Sequence, residues 1–112
     1  GVSPTDAEGK GSVEVGSLAD FPEGTGVPVT IGSRKLVIYR QGGEFFALKD
    51  ICPHMGDALH RRKPEKGAAV CPGHGWRFDL RTGRCIYGDP EARVAVYPVI
   101  LQGDKVLVNL ER

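Results

Sequence analysis

The sequence has no apolar run approaching the roughly 20 residues that a membrane-spanning helix needs. It also has no apolar stripe of helical period over a useful length, so helices are not expected to build its core. Neither sign of charge dominates: 15 Lys and Arg stand against 14 Asp and Glu, a net charge of +1. That balance gives no global pull toward nucleic acid or a membrane surface. Three cysteines are too few, and odd in number, for a disulfide framework. A reduced thiol pool fits a cytoplasmic setting. No signal-peptide pattern opens the chain. It begins with Gly1 rather than Met, which points to N-terminal processing or trimming.

The 112 residues suit one domain, and 40% apolar content gives it a modest core. A core of that size benefits from an internal staple such as a bound metal. Glycine (16) and proline (8) are plentiful and predict many tight turns between short strands. Residues 1–11 are polar and aperiodic and read as a flexible N-terminal arm or a remnant foreign to the domain. The domain is expected over 12–112.

Short strands are expected at Val13–Val15, at Val27–Ile31 (an edge strand, because Pro28 interrupts it) and at Lys35–Arg40, which turns through Gln41-Gly42-Gly43 into Glu44–Leu48. Further strands are read at Ala68–Val70, Trp76–Leu80, Arg84–Tyr87, Val94–Tyr97, Val99–Leu101 and Lys105–Leu110. Cys85, on one of them, is read as a buried small hydrophobe. Asp79 and Thr82 are expected to fix the turn before Gly83. The portion from Leu59 to Lys66 is basic and reads as having no core face. The class is all-β, with about nine or ten strands.

Two stretches stand apart: Cys52-Pro53-His54-Met55-Gly56 and Cys71-Pro72-Gly73-His74-Gly75-Trp76. Each offers one thiol and one imidazole on a loop rich in Gly and Pro. Cys52, His54, Cys71 and His74 together form a four-donor set for a metal centre. A structural zinc site is one reading, but zinc usually takes its cysteines as a C-x2–4-C knuckle with a separate histidine pair. A dinuclear [2Fe-2S] centre, with two Cys on one iron and two His on the other, accounts better for one Cys and one His per loop.

With these residues in view, the sequence resembles the Rieske iron–sulfur family. The resemblance rests on the two loops, continued through Arg77-Phe78-Asp79 and Thr82-Gly83. It extends to Gly88-Asp89-Pro90, similar to the family's third, proline-containing loop, and to Tyr97-Pro98-Val99. It implies the Rieske fold: three small antiparallel sheets, with a cluster-binding subdomain formed by the two loops. It implies one Rieske-type [2Fe-2S] cluster per chain, Cys52 and Cys71 on the inner iron, His54 and His74 on the outer. The branch found in cytochrome complexes carries a disulfide between the loops and hydroxyls near the sulfurs. The matching positions here are Asp57 and Gly73, and Trp76 and Phe78, so the chain looks like the low-potential, ferredoxin-like branch.

The resemblance implies a one-electron carrier with no catalytic residues of its own. Its partners would be redox proteins: a flavin reductase as donor, and an oxygenase or another reductase as acceptor. A small electron-transfer subunit of a larger oxidoreductase, such as a nitrite reductase, is the alternative. An oxygenase would need a second iron held by two His and a carboxylate, and only His60 is left over. His60 reads as a solvated surface residue, with support of the ligand loops or partner docking as the alternative, Trp76 and Phe78 as packing that shields the cluster, and Gly56, Gly73 and Gly75 as positions where backbone N–H groups approach the sulfurs. Arg61, Arg62, Lys63 and Lys66 read as a solvated face, though their place between the loops also suits them to steering an acidic partner. Electron transfer at rising ionic strength separates the two: a falling rate marks steering, and an unchanged rate marks a solvated face.

Overall fold

The structure, a computed structural model, describes residues 11–111. Of the arm expected over 1–11, all but Gly11 lies outside the described residues. Gly11 accepts a hydrogen bond from the Leu110 N–H at 3.1 Å. The described chain holds ten strands: β1 (Ser12–Ser17), β2 (Thr25–Ile31), β3 (Arg34–Gln41), β4 (Glu44–Lys49), β5 (Ala68–Val70), β6 (Arg77–Asp79), β7 (Cys85–Tyr87), β8 (Val96–Tyr97), β9 (Val99–Gln102) and β10 (Lys105–Asn109). Two 3-10 turns, at Leu18–Asp20 and Leu59–Arg61, are the helical pieces among them. Three antiparallel sheets result, ordered β1-β10-β9, β2-β3-β4-β8 and β5-β6-β7.

The central strand explains the layering. Leu36-Val37-Ile38-Tyr39 is a continuous apolar run, and all four residues are buried. Side chains alternate along a strand, so such a run needs cover on both faces. Leu36 and Ile38 pack with Phe21, Ala47, Val106 and Val108, under the sheet containing β10. Val37 and Tyr39 pack on the opposite side with Leu48, Leu59, Ala69 and Phe78. The four-stranded sheet therefore lies between the first sheet and the region that carries the two Cys/His loops.

Turn chemistry fixes the register. Gln41 pairs with Glu44 across a two-residue turn whose Gly42 and Gly43 have φ of 65° and 78°. Two consecutive positive φ values suit glycine and match the twist of an antiparallel hairpin. Glu23 accepts both turn N–H groups, at 2.6 and 3.0 Å. β2 is the expected edge strand, with Pro28 inside it. Asp79 Oδ1 accepts from the Arg81 and Thr82 N–H groups, which closes the β6–β7 turn as anticipated.

Three expectations need correction. The segment after Asp57 does have a core face: Leu59 is fully buried, because a single 3-10 turn aims it into the cluster around Val37 and Tyr39. The strand expected from Val94 shortens to Val96–Tyr97, since Val94 N–H bonds to Gly83 O instead of a neighbouring strand. Cys85 is half-buried, and its thiol donates to Tyr87 O at 3.2 Å.

The Tyr39 hydroxyl is buried and has no hydrogen-bond partner among the described residues. Burial, and then the charge of Asp50, raise its pKa. The folded state thus keeps a proton that the unfolded chain gives up near pH 10, and Tyr39 contributes a loss of stability as pH rises beyond that point. Tyr39→Phe is expected to raise stability by about 1 kcal/mol by removing an unsatisfied polar group. It should also flatten the alkaline loss. Urea denaturation at neutral and alkaline pH measures both effects.

Candidate metal centre

Both loops are built on one plan. In the first, Cys52 N–H donates to Asp57 O (2.7 Å) and Gly56 N–H donates to Cys52 O (2.7 Å). In the second, Cys71 N–H donates to Trp76 O (2.8 Å) and Gly75 N–H donates to Cys71 O (3.0 Å). The closing glycines take φ of 80° and 72°, the left-handed conformation that glycine adopts without steric cost. Each loop is thus Cys-Pro-x-x-Gly followed by the residue whose carbonyl holds the cysteine. That repeat stands in the sequence, and comparing the loops with each other would have exposed it.

The four donors separate into two pairs. Cys52 and Cys71 are fully buried and belong to the core cluster with Val37, Leu48 and Phe78. Burial, and a hydrogen bond with the Cys71 thiol, push the Cys52 thiol above its ordinary pKa. Hydrogen bonds from the backbone of His54 and Met55 work in the opposite direction. Gly56 and Gly75 give their own N–H groups to the Cys52 and Cys71 carbonyls. His54 is half-buried and His74 exposed, and their Nδ1 atoms lie 3.3 Å apart.

This donor set fits a two-iron cluster better than a single zinc ion. A structural zinc gathers four donors around one point, at about 2.0–2.3 Å. Among the described residues, no group of three or more His, Cys, Asp or Glu side chains converges in that way. A Rieske centre instead needs a thiolate pair at one end and an imidazole pair at the other. Two nitrogens 3.3 Å apart can reach one ion at about 2 Å each.

Other residues hold the loops in place. The Trp76 ring stacks on His54 with centroids 4.1 Å apart and planes 17° apart. The ring also meets the third loop, where a Cβ on Gly88 would come within 2.5 Å of the indole. Phe78 is fully buried below the loops, consistent with packing. His60 departs from its reading as a solvated residue. Its N–H donates to Asp50 Oδ1 at 2.8 Å, and its Nδ1 lies 2.5 Å from Asp50 Oδ2. Asp50 precedes the first loop and His60 follows it, so the pair clamps the loop's base. Within the basic run, Arg62 meets Glu65 at 3.4 Å and Arg77 meets it at 2.8 Å. The hydrogen bond from Arg77 is the main reason that Glu65 titrates below the ordinary carboxylate range.

A profile of the Rieske [2Fe-2S] domain matches residues 11–98. The chain belongs to the Rieske family. It is 30% identical to the ferredoxin component of the naphthalene 1,2-dioxygenase system of Pseudomonas aeruginosa, over 88% of this chain and 94% of that one. It is 31% identical to the 3-phenylpropionate/cinnamic acid dioxygenase ferredoxin subunit of Shigella flexneri serotype 5b (strain 8401), over 83% and 88%. Its structure is similar to the ferredoxin of carbazole 1,9a-dioxygenase from Nocardioides aromaticivorans IC177, with a TM-score of 0.81, 25% identity, and coverage of 87% of this chain and 95% of that one. It also matches a chain in the complex of reduced oxygenase and oxidized ferredoxin of carbazole 1,9a-dioxygenase, with a TM-score of 0.81, 26% identity, and coverage of 90% and 94%. The Rieske chain carries a [2Fe-2S] cluster and serves in electron transfer as a ferredoxin-type carrier, not as a catalytic subunit. Among the described residues, no helix is long and apolar enough to cross a membrane.

The clamp can be broken without touching a donor. The Asp50 side chain is only 5% exposed. His60→Ala would remove one of its two hydrogen-bond contacts and is expected to lower stability by about 1–3 kcal/mol. Urea unfolding measures this, and faster cluster loss on incubation should accompany it.

Proposed function

We propose that this chain is the ferredoxin component of a ring-hydroxylating dioxygenase system, taking electrons singly from a flavin reductase and passing them to a terminal oxygenase in the cytoplasm. In this reading Cys52 and Cys71 hold the inner iron of the cluster and His54 and His74 the outer, within a Rieske domain spanning 12–112. The observation that carries it is the polarity of the donor set, with thiols in the core and imidazoles at the surface.

When bound, a Rieske cluster accepts and returns one electron, at a potential between about −150 and +300 mV. Cys52 and Cys71, as buried thiolates, would fix its inner end to the core. His54 and His74 would present the outer end to a partner, which shortens the path an electron must cover. Trp76 holds the His54 ring in orientation by stacking. Trp76 and Phe78 offer no hydroxyl to a sulfur. Hydrogen bonds to the sulfurs help to set the potential, so the lack of these two hydroxyl donors supports a value near the low end. Pro53 and Met55 are exposed next to His54 and give the tip an apolar rim. The ferredoxin relatives are matched over nearly their whole length, which favours a free carrier over a small subunit of a nitrite reductase.

The purified protein should be red-brown, with about two irons and two acid-labile sulfides per chain. It should take up one electron from dithionite, with a paramagnetic resonance signal emerging on reduction. Cys71→Ser should abolish the colour. A colourless protein holding one zinc per chain would overturn the proposal.

A further inference from the structure

Asp57 ends the first loop as Trp76 ends the second, each lending its carbonyl to the N–H of its own loop's cysteine. Both side chains then cross to the other loop. Trp76 stacks on His54, while Asp57 turns toward Cys71 and brings Oδ2 to 3.9 Å from the sulfur. Gly73 makes this approach possible. A Cβ built there would lie 2.4 Å from Asp57 Oδ2 and 3.8 Å from Cys71 Sγ. Gly73 is not among the glycines with positive φ, so its backbone does not require glycine. What the missing side chain provides is room for a carboxylate. Among the described residues, no Lys, Arg or His pairs with Asp57, and the Cys71 thiol is the hydrogen-bond partner of its side chain.

As a free thiol, Cys71 can donate to that carboxylate. As a metal-bound thiolate it has no proton to give. The carboxylate and the sulfur then face each other as two negatively charged acceptors. An electron added to the centre would bring further negative charge close to the carboxylate and make the contact less favourable. This is the reverse of an N–H or O–H donated to a sulfur. We propose that Asp57 is a potential-setting residue: its carboxylate, admitted by Gly73, lies against Cys71 and disfavours the reduced state of the centre. The inference rests on the cluster reading above and adds to it a charge that this chain places between its own loops.

The test uses the cluster-loaded full chain and measures the midpoint potential. Asp57→Asn keeps the shape and removes the charge. At a fixed solution potential its reduced-to-oxidised ratio should rise about tenfold, which for one electron is about 59 mV. Asp57→Glu restores the carboxylate and should return most of that shift. An Asp57→Asn protein with an intact cluster and an unmoved potential overturns the proposal, even if its melting temperature falls, because a purely packing role predicts that result. If Asp57→Asn does not load, Gly73→Ala serves instead. Its Cβ displaces the carboxylate from the sulfur, so a raised potential supports the proposal and an unchanged one overturns it. If neither variant loads while the parent protein does, Asp57 is a structural requirement and the proposal fails. If the parent protein itself shows no reducible cluster, the function proposed above fails first.

Discussion

Burial of Cys52 and Cys71 in the apolar cluster with Val37, Leu48 and Phe78 is the constraint on which the rest depends. It makes the donor thiols core residues. Whatever holds the core together holds them at fixed separation, and whatever they bind helps to hold the core. The arrangement is costly for a charged sulfur, and the raised pKa of Cys52 records that cost. The backbone amides of His54 and Met55 oppose it in part. A metal would offset the remainder, since it binds thiolate directly. A 112-residue all-β domain with a modest core gains stability from such a staple.

The same burial gives the site a direction. Thiols lie inward and imidazoles outward, so one end of the centre is insulated and the other is available to a partner. The scaffold serves this asymmetry through β3, whose two apolar faces join the basal sheet to the loop-bearing region. The two loops then secure each other. Asp57 reaches across to Cys71 and Trp76 to His54, which makes the donor pairs a property of both loops together. The Asp50–His60 clamp closes the base of the first loop, and Gly88 backs the indole from the third.

Much of this was legible in the chain. Val27–Ile31 with Pro28, the Gly42-Gly43 hairpin and the Asp79–Gly83 turn have local causes, either alternation or the conformational demands of particular residues, and the sequence shows them directly. The four donors were legible because Cys and His are scarce in this chain and fall in two short loops. Leu59 was missed because one apolar residue in a basic segment has no period to reveal it, and only a 3-10 turn turns it inward. His60 was misread for a related reason. Its partner, Asp50, lies ten residues earlier, and the loop between them must fold before they meet. Cys85 stopped short of full burial because its strand lies at the edge of its sheet, a placement that hydropathy does not encode.

The sequence by itself determined the all-β class, the turn positions and the candidate donor set, because each follows from residue type and spacing within short segments. It also showed that these 112 residues hold three histidines and no long apolar run. Only the tertiary structure decided that the thiols are buried and paired while the imidazoles meet at the surface. It also decided that Asp57 and Trp76 serve the loop opposite their own. The physical reason is distance along the chain. Contacts between residues 14 to 22 positions apart depend on how separate loops are packed together, and no local pattern states that packing.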